Sequence, residues 1–213
     1  MHTKLNSEKA LIFRIVHRLN VPWILEHGMC CRNSGLQDPN YRTIGNPELI
    51  DKRQRRHVPI PPSGTLSDYV PFYFTPFTPM LYNIKTGYGG MTKVPNEDVV
   101  ILVSSLHRLA EMGRLFTFTD RHAYLVNAEF YNDLKDLDKI DWPILQKKDF
   151  RRDPDDPGKI ERYQAEALVH EHLPVDSFLG VACYSDTVRD QLLHHVERFG
   201  IDLKVVTQKG WYL

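Results

Sequence analysis

Ile160-Glu-Arg-Tyr-Gln-Ala-Glu-Ala-Leu-Val-His-Glu-His172 sets Glu166 between Ala165 and Ala167 and just ahead of Leu168 and Val169. A carboxylate in so apolar a setting needs a partner or a task, because an unpaired charge is costly to bury. The periodicity admits two readings. Ile160, Tyr163 and Ala167 keep helical spacing, which suits an amphipathic helix with Glu166 in solvent. Gln164, Glu166 and Leu168 would instead share one face of a strand. The reading adopted is a short helix to about Tyr163, followed by a strand with Glu166 at its start and Gln164 pointing the same way.

Working outward, Phe150-Arg-Arg-Asp-Pro-Asp-Asp-Pro-Gly158 is a proline-rich loop just upstream. Downstream come a strand at 178–184, a helix at 186–199 stopped by Gly200, a strand at 201–207, and an aromatic end, Gly210-Trp-Tyr-Leu213, expected to dock. Towards the N-terminus, 11–17 reads as a strand carrying Arg14 and His17. Asn20 caps a helix that ends at Gly28. Residues 29–66 show no clear period, which in a domain usually marks function or mobility. They hold the sharpest charge cluster, Asp51-Lys-Arg-Gln-Arg-Arg-His57, suited to phosphates or to a solvated loop with local pairing. Tyr69 to Phe74 can be a strand, with Pro71 arguing for an edge or a bulge. Pro79 starts a helical turn through Met80 and Leu81. Val99 to Ser104 is the clearest buried strand, then a helix at 105–112, a strand at 115–119 and a helix over about 123–137. Asp120, Arg121 and His122 form either a site at a strand end or a capped, charged first turn. Asp141-Trp-Pro opens another helix. Strands and helices mix without strict βαβ alternation, which indicates α+β.

The 213 residues suit one domain, 1–213, and Lys+Arg equals Asp+Glu at 27 each, so net charge favours neither a nucleic-acid nor a membrane partner. Cys30, Cys31 and Cys183 form neither a disulfide framework nor a zinc spacing, and suit a reducing, cytoplasmic setting. No metal is expected. No apolar run approaches membrane-spanning length, and the start lacks an apolar signal core. Gly87, Gly89 and Gly90 match neither the dinucleotide fingerprint nor a P-loop.

Arg14-x-x-His17, the basic run ending Val58-Pro59, Asp68-Tyr-Val-Pro-Phe-Tyr-Phe74, Thr119-Asp-Arg-His122, Gln164-Ala-Glu166 and the terminal Gly210-Trp-Tyr occur in an order that closely resembles the DarT family. These are the DNA ADP-ribosyltransferase toxins of the DarT–DarG toxin–antitoxin system. The resemblance implies an ADP-ribosyltransferase fold related to that of poly(ADP-ribose) polymerases, a split central mixed sheet with flanking helices. It implies transfer of ADP-ribose from NAD+, as co-substrate, to a base in single-stranded DNA, here thymine on N3, and pairing with the macrodomain antitoxin DarG.

By the same resemblance, Glu166 matches the catalytic glutamate and Arg53 the catalytic arginine. Tyr73, Phe74, Thr75, Met80 and Leu81 match the NAD+ pocket wall. Some family members have histidine where this chain has Arg14, which leaves the NAD+ contact open between Arg14 and His17. Arg56, His57, Arg121, His122, Arg151, Arg152 and Arg162 are the implied DNA-facing residues. The chemistry suits these roles. Breaking the nicotinamide bond develops positive charge on ribose, as in glycoside hydrolysis, and a fixed carboxylate stabilises it. Competing readings are a non-catalytic single-strand-binding module and a transferase acting on guanine or on protein.

Overall fold

Polar caps and prolines punctuate the chain of this computed structural model, which describes residues 5–212. In chain order the elements are β1 (Leu11–His17), α1 (Val21–His27), β2 (Met29–Cys30), α2 (Pro47–Arg53), β3 (Tyr69–Tyr73), α3 (Pro79–Thr86), β4 (Val99–Ser105), α4 (Leu106–Glu111) and β5 (Phe116–Thr119). They continue with β6 (Phe130–Tyr131), α5 (Trp142–Lys147), α6 (Lys159–Tyr163), β7 (Glu166–His170), β8 (His172–Leu173), β9 (Gly180–Cys183), α7 (Asp186–Arg198) and β10 (Val205–Thr207), with short 3-10 turns between. Side chains of Asn46, Thr78, Ser105, Asp141 and Ser185 accept from the first-turn amides of α2, α3, α4, α5 and α7. Pro47, Pro79 and Pro143 sit in first turns, where their missing N–H costs nothing.

The main sheet runs β10-β9-β4-β1-β3-β7-β5-β6. Only β10 and β9 are parallel, so the sheet is mixed and the α+β expectation holds. Its centre is split. β1 pairs with β4 from Leu11–Ser105 through His17–Val99, and β3 with β7 from Tyr69–His170 through Tyr73–Glu166. Between β1 and β3 the register has one pair, Phe13 with Tyr73. Pro71 explains the gap. Its carbonyl faces β1 and accepts from Arg14 Nη1 at 3.0 Å, so its absent N–H falls on the same side and the ladder cannot continue there. Pro71 therefore lies in a central strand, against the expected edge or bulge; its missing donor faces the seam.

Four further expectations are corrected. The irregular 29–66 segment contains α2, too short for its apolar spacing to stand out. Asn20 precedes α1 without a side-chain cap bond; it instead accepts from Arg42 N–H at 2.9 Å and donates to Arg42 O at 3.0 Å, tying down the following loop. Residues 123–137 are turn, β6 and a 3-10 segment rather than a helix. The amides that would start that helix are occupied: Ala123 N–H points at Glu166 and Tyr124 N–H at His122 Nδ1. Gln164 ends α6, its side chain folded back onto Ile160 O at 3.1 Å, so it does not share a strand face with Glu166. The helix ending at Tyr163 and the strand starting at Glu166 form as expected. The C-terminal segment docks: Tyr212 Oη donates to Val99 O and Ala182 O at 3.0 and 3.1 Å, and Trp211 meets Phe13 edge-on.

Candidate active site

Glu166, the first residue of β7, lies opposite Tyr73 and is 3% exposed. Both carboxylate oxygens are held. Oε2 accepts from Arg53 Nη1 at 2.9 Å; Oε1 accepts from Ala123 N–H at 3.0 Å and lies 3.2 Å from His122 Nδ1. Below, Glu166 N–H donates to Thr119 Oγ1 at 3.2 Å, and that hydroxyl donates to Arg121 O at 2.6 Å. Burial pushes the Glu166 carboxyl up, but the Arg53 charge, His122 and the Ala123 amide together hold it below its ordinary value. The carboxylate is thus ionised in an apolar wall, with its orientation fixed from three sides.

Arg53 arrives from the last turn of α2 and is 9% exposed. Its Nη2 is buried with no hydrogen-bond partner among the described residues. The rest of the basic run goes elsewhere. Lys52 pairs with Glu48 one helical turn back, and Asp51 with Arg32 at 3.0 Å. Arg56 Nη2 donates to Leu125 O at 2.8 Å and its Nε to Ala123 O at 3.4 Å, with the guanidinium 5.8 Å from the Phe130 ring. His57 is exposed, its backbone bridged to Thr65.

The seam opens into a cavity of about 520 Å³, within the range of small-molecule sites. Arg14, Arg53, Ser67, Tyr73, Met80 and Glu166 are among its lining residues. Arg14 Nε, Arg53 Nη2 and Ser67 Oγ, on three of the lining residues, are buried without a hydrogen-bond partner among the described residues. Buried polar groups ordinarily have partners, and three together suit a polar, multidentate ligand. Tyr73 Oη meets only Met80 Sδ at 3.7 Å; burial, then Glu166, pushes its phenol up to about 12, so it stays a neutral donor.

The structure separates the expected NAD+ residues. Arg14, Tyr73 and Met80 line the cavity; His17, Phe74, Thr75 and Leu81 do not. His17 Nδ1 accepts from Leu19 N–H at 3.2 Å at the far end of β1. Phe74 packs edge-on to Phe118 and Trp142, Thr75 Oγ1 accepts from Phe77 N–H, and Leu81 is core. These three form the layer behind the wall, because β3 ends at Tyr73 and the chain then turns inward.

Among the expected DNA-facing residues, His122 lies at the cavity. Arg121 pairs with Asp120 at 2.8 Å and, at 3.6 Å, with Glu161. Arg162 binds Asp141 at 3.0 Å and Asp156 at 2.7 Å, and both contacts hold its guanidinium charged; its donors serve the 141–156 connection. Arg151 is exposed and bonded to Asp149, whose carboxyl its donors and Lys159 hold well below the usual range. Arg152 is exposed and has no carboxylate within 4.0 Å among the described residues. Sequence reasoning missed Ser67, Thr119 and the Ala123 amide as parts of the site. No residue-type signal marks a backbone N–H, and a serine in the turn before a strand is commonplace.

A model of the family described as DarT, single-stranded-DNA thymidine ADP-ribosyltransferase, matches residues 13–213. A DNA ADP-ribosyl transferase of Escherichia coli O127:H6 (strain E2348/69 / EPEC) is 55% identical over 208 residues, 98% of this chain and 95% of that protein. The solved structure of Thermus sp. 2.9 DarT in complex with ADP-ribosylated single-stranded DNA superposes at a TM-score of 0.89 with 34% identity, covering 97% of each chain. The same protein in complex with NAD+ superposes at 0.84, over 97% of this chain and 98% of that one. Thermosipho africanus DarTG, solved with ADP-ribose, shares the fold at 0.75 and 20% identity, with 95% of this chain covering 50% of that one.

Proposed function

The chain belongs to the DarT family of single-stranded-DNA thymidine ADP-ribosyltransferases, and from that premise we propose that Glu166 and Arg53 are its catalytic pair. It is an NAD+-dependent DNA ADP-ribosyltransferase. The observation that carries the residue assignment is the buried, ionised Glu166 with Arg53 bound to one oxygen and a free Arg53 Nη2 beside the cavity. NAD+ supplies the ADP-ribosyl group, and nicotinamide departs. Glu166 faces the ribose, orients its 2′-hydroxyl and stabilises the positive charge that develops there. Its ionised state and fixed rotamer mean that little reorganisation is needed as the charge appears. Arg14, Ser67, Tyr73 and Met80 hold the dinucleotide, the two side chains with unpartnered donors meeting its polar groups.

The acceptor atom is thymine N3. That atom lies on the Watson–Crick edge, so only an unpaired or extruded base presents it. Its proton must leave before or during attack. Arg53, through the nitrogen that Glu166 does not use, favours the resulting anion by charge. His122 positions the base at the cavity mouth, and Arg152, with Arg151, meets the strand outside. We read residues 1–213 as one catalytic domain. It works in the cytoplasm, where its DNA substrate is found; no described helix is long and apolar enough to cross a membrane. A DarG-type macrodomain antitoxin is its partner, so expression without one arrests the host.

The test is incubation with NAD+ and matched single- and double-stranded oligonucleotides, read by nicotinamide release and mass spectrometry. Labelling confined to single strands, and lost when every thymine is replaced by 3-methylthymine, is the expected result. Label on blocked strands overturns the N3 assignment, and label on protein alone overturns the acceptor class. Bound DNA without nicotinamide release leaves a binding module.

A further inference from the structure

The geometry points to Arg56 as a positioning residue for Glu166, acting through the backbone of residues 122–125. Its guanidinium reaches two carbonyls of that turn, Leu125 O at 2.8 Å and Ala123 O at 3.4 Å, and packs over Phe130 from β6. The amide of Ala123, whose own carbonyl Arg56 holds, donates to Glu166 Oε1 at 3.0 Å. Within the turn, Leu125 N–H donates at 3.0 Å to His122 O, the carbonyl of the same peptide unit as the Ala123 amide, so the residue whose carbonyl Arg56 grips at 2.8 Å is tied to that peptide plane; His122 N–H donates to Glu161 O at 3.0 Å. Ala123 itself is fully buried and has no polar side chain to fix its plane. A charge-assisted grip on two carbonyls of one turn, Ala123 O and Leu125 O, fixes the course of that turn in a way that a single lysine amine cannot.

Arg53 and Arg56 are thus three residues apart and act on different oxygens of Glu166. Arg53 meets Oε2 directly; Arg56 fixes the donor to Oε1. A phosphate-binding role for Arg56 is disfavoured because two of its three nitrogens already serve the protein. The groups around Glu166 are Arg53 from α2, His122 and the Ala123 amide from the turn, Thr119 from β5, and Tyr73 from β3, with Arg14 across the cavity. Of the residues that supply these groups, Arg56 hydrogen-bonds only Ala123, through its carbonyl.

This inference rests on Glu166 being the catalytic carboxylate. The experiment compares R56K and R56Q with the unaltered protein in NAD+-dependent labelling of a thymine-containing single strand. Rates are normalised to the fraction of each sample that binds NAD+, so misfolded protein does not count. The expected result is a fall in kcat of about 10- to 100-fold in both variants, the size usual when a residue supporting a site is lost. KM for NAD+ and for the oligonucleotide stays within about twofold. The acid limb of kcat/KM moves to higher pH, since a displaced Ala123 amide no longer favours the ionised carboxylate. Lysine keeps the charge and loses the fork, so R56K must fail to rescue. A raised KM for the strand with a flatter salt dependence and unchanged kcat overturns the inference in favour of a phosphate contact. A lower Tm with unchanged normalised kcat and pH profile overturns it in favour of a simple brace. Absence of transfer by the unaltered protein refutes the catalytic reading itself; transfer by that protein with an equal R56K refutes only the role given to Arg56.

Discussion

Two segments each begin with an aspartate and carry an adjacent pair of arginines, Asp51-Lys-Arg-Gln-Arg-Arg-His57 and Asp149-Phe-Arg-Arg-Asp-Pro-Asp-Asp156. In the folded chain they do different work. The first directs one arginine into the apolar interior against Glu166 and another onto the turn that orients it. The second keeps its own two cations, Arg151 and Arg152, at the surface, while its aspartates tie down neighbours: Asp149 holds Arg151 and Lys159, and Asp156 with Asp141 holds Arg162. Burial separates them. Charge at the surface is screened by solvent and contributes little, whereas an ion pair in the interior is strongly coupled to both partners. A cluster of cations in a sequence is therefore a statement about composition, and only the partners turn it into a site or a strap.

The largest effect that could break this contrast comes from Glu166→Gln. Transfer should fall by about 10²- to 10³-fold or more, as when an electrostatic stabiliser of a transition state is removed. NAD+ affinity, measured by calorimetry, should stay within about tenfold. Near-normal transfer would remove the reason for the buried pair.

Arg53→Ala comes next, and it should damage both rate and fold. It leaves Glu166 buried without its cation, which costs about 3 kcal/mol, read from denaturant unfolding. The pH dependence follows. In the intact protein burial raises the Glu166 carboxyl, but Arg53 and the neighbouring donors bring it below its ordinary 4.5. Its ionisation therefore contributes stability that is fully present above that value and is lost as pH falls through the lower, folded one. Without Arg53, burial prevails and the folded value rises above 4.5; protonation then favours the folded state, so this group's loss of stability on acidification disappears and the variant's deficit shrinks as pH falls through the raised value. An unchanged acid-unfolding profile would show that the pair is not coupled.

Arg162→Gln should cost stability alone, with a Tm lowered by a few degrees and kcat little changed, because its partners are the partly exposed Asp141 and Asp156. A large loss of transfer with the fold intact would move the second segment into the site.

Arg152→Ala is the smallest. It is an exposed cation with no carboxylate within 4.0 Å among the described residues, so its loss should reduce the salt dependence of strand binding by about one phosphate contact. An unchanged slope would leave the loop outside the DNA path.

Much of this was legible in the order of the residues. The runs at 11–17 and 99–104 read as strands, the second as a buried one, and polar caps ahead of Pro79, Leu106, Trp142 and Asp186 mark helix starts by local hydrogen bonding. The end of α6 at Tyr163 and Glu166 at the start of β7 were also readable, since both depend on neighbouring residues, whereas Gln164 was read onto the strand face and instead closes α6. The motif order identified the family, and with it NAD+ and a thymine in single-stranded DNA. Local sequence did not reveal where donors would find acceptors. Pro71 read as an edge, because nothing near it says that Arg14, 57 positions away, fills the seam its missing N–H creates. Residues 123–137 read as a helix, because their propensity is local while the amide of Ala123 is taken by Glu166, 43 positions on. Arg53, Arg56, Arg121 and Arg162 are the same residue type in similar company. Which one enters the apolar interior and which stays tied to surface aspartates was decided by tertiary structure alone, because the worth of a charge depends on the dielectric and the partners around it, and distant parts of the chain supply both.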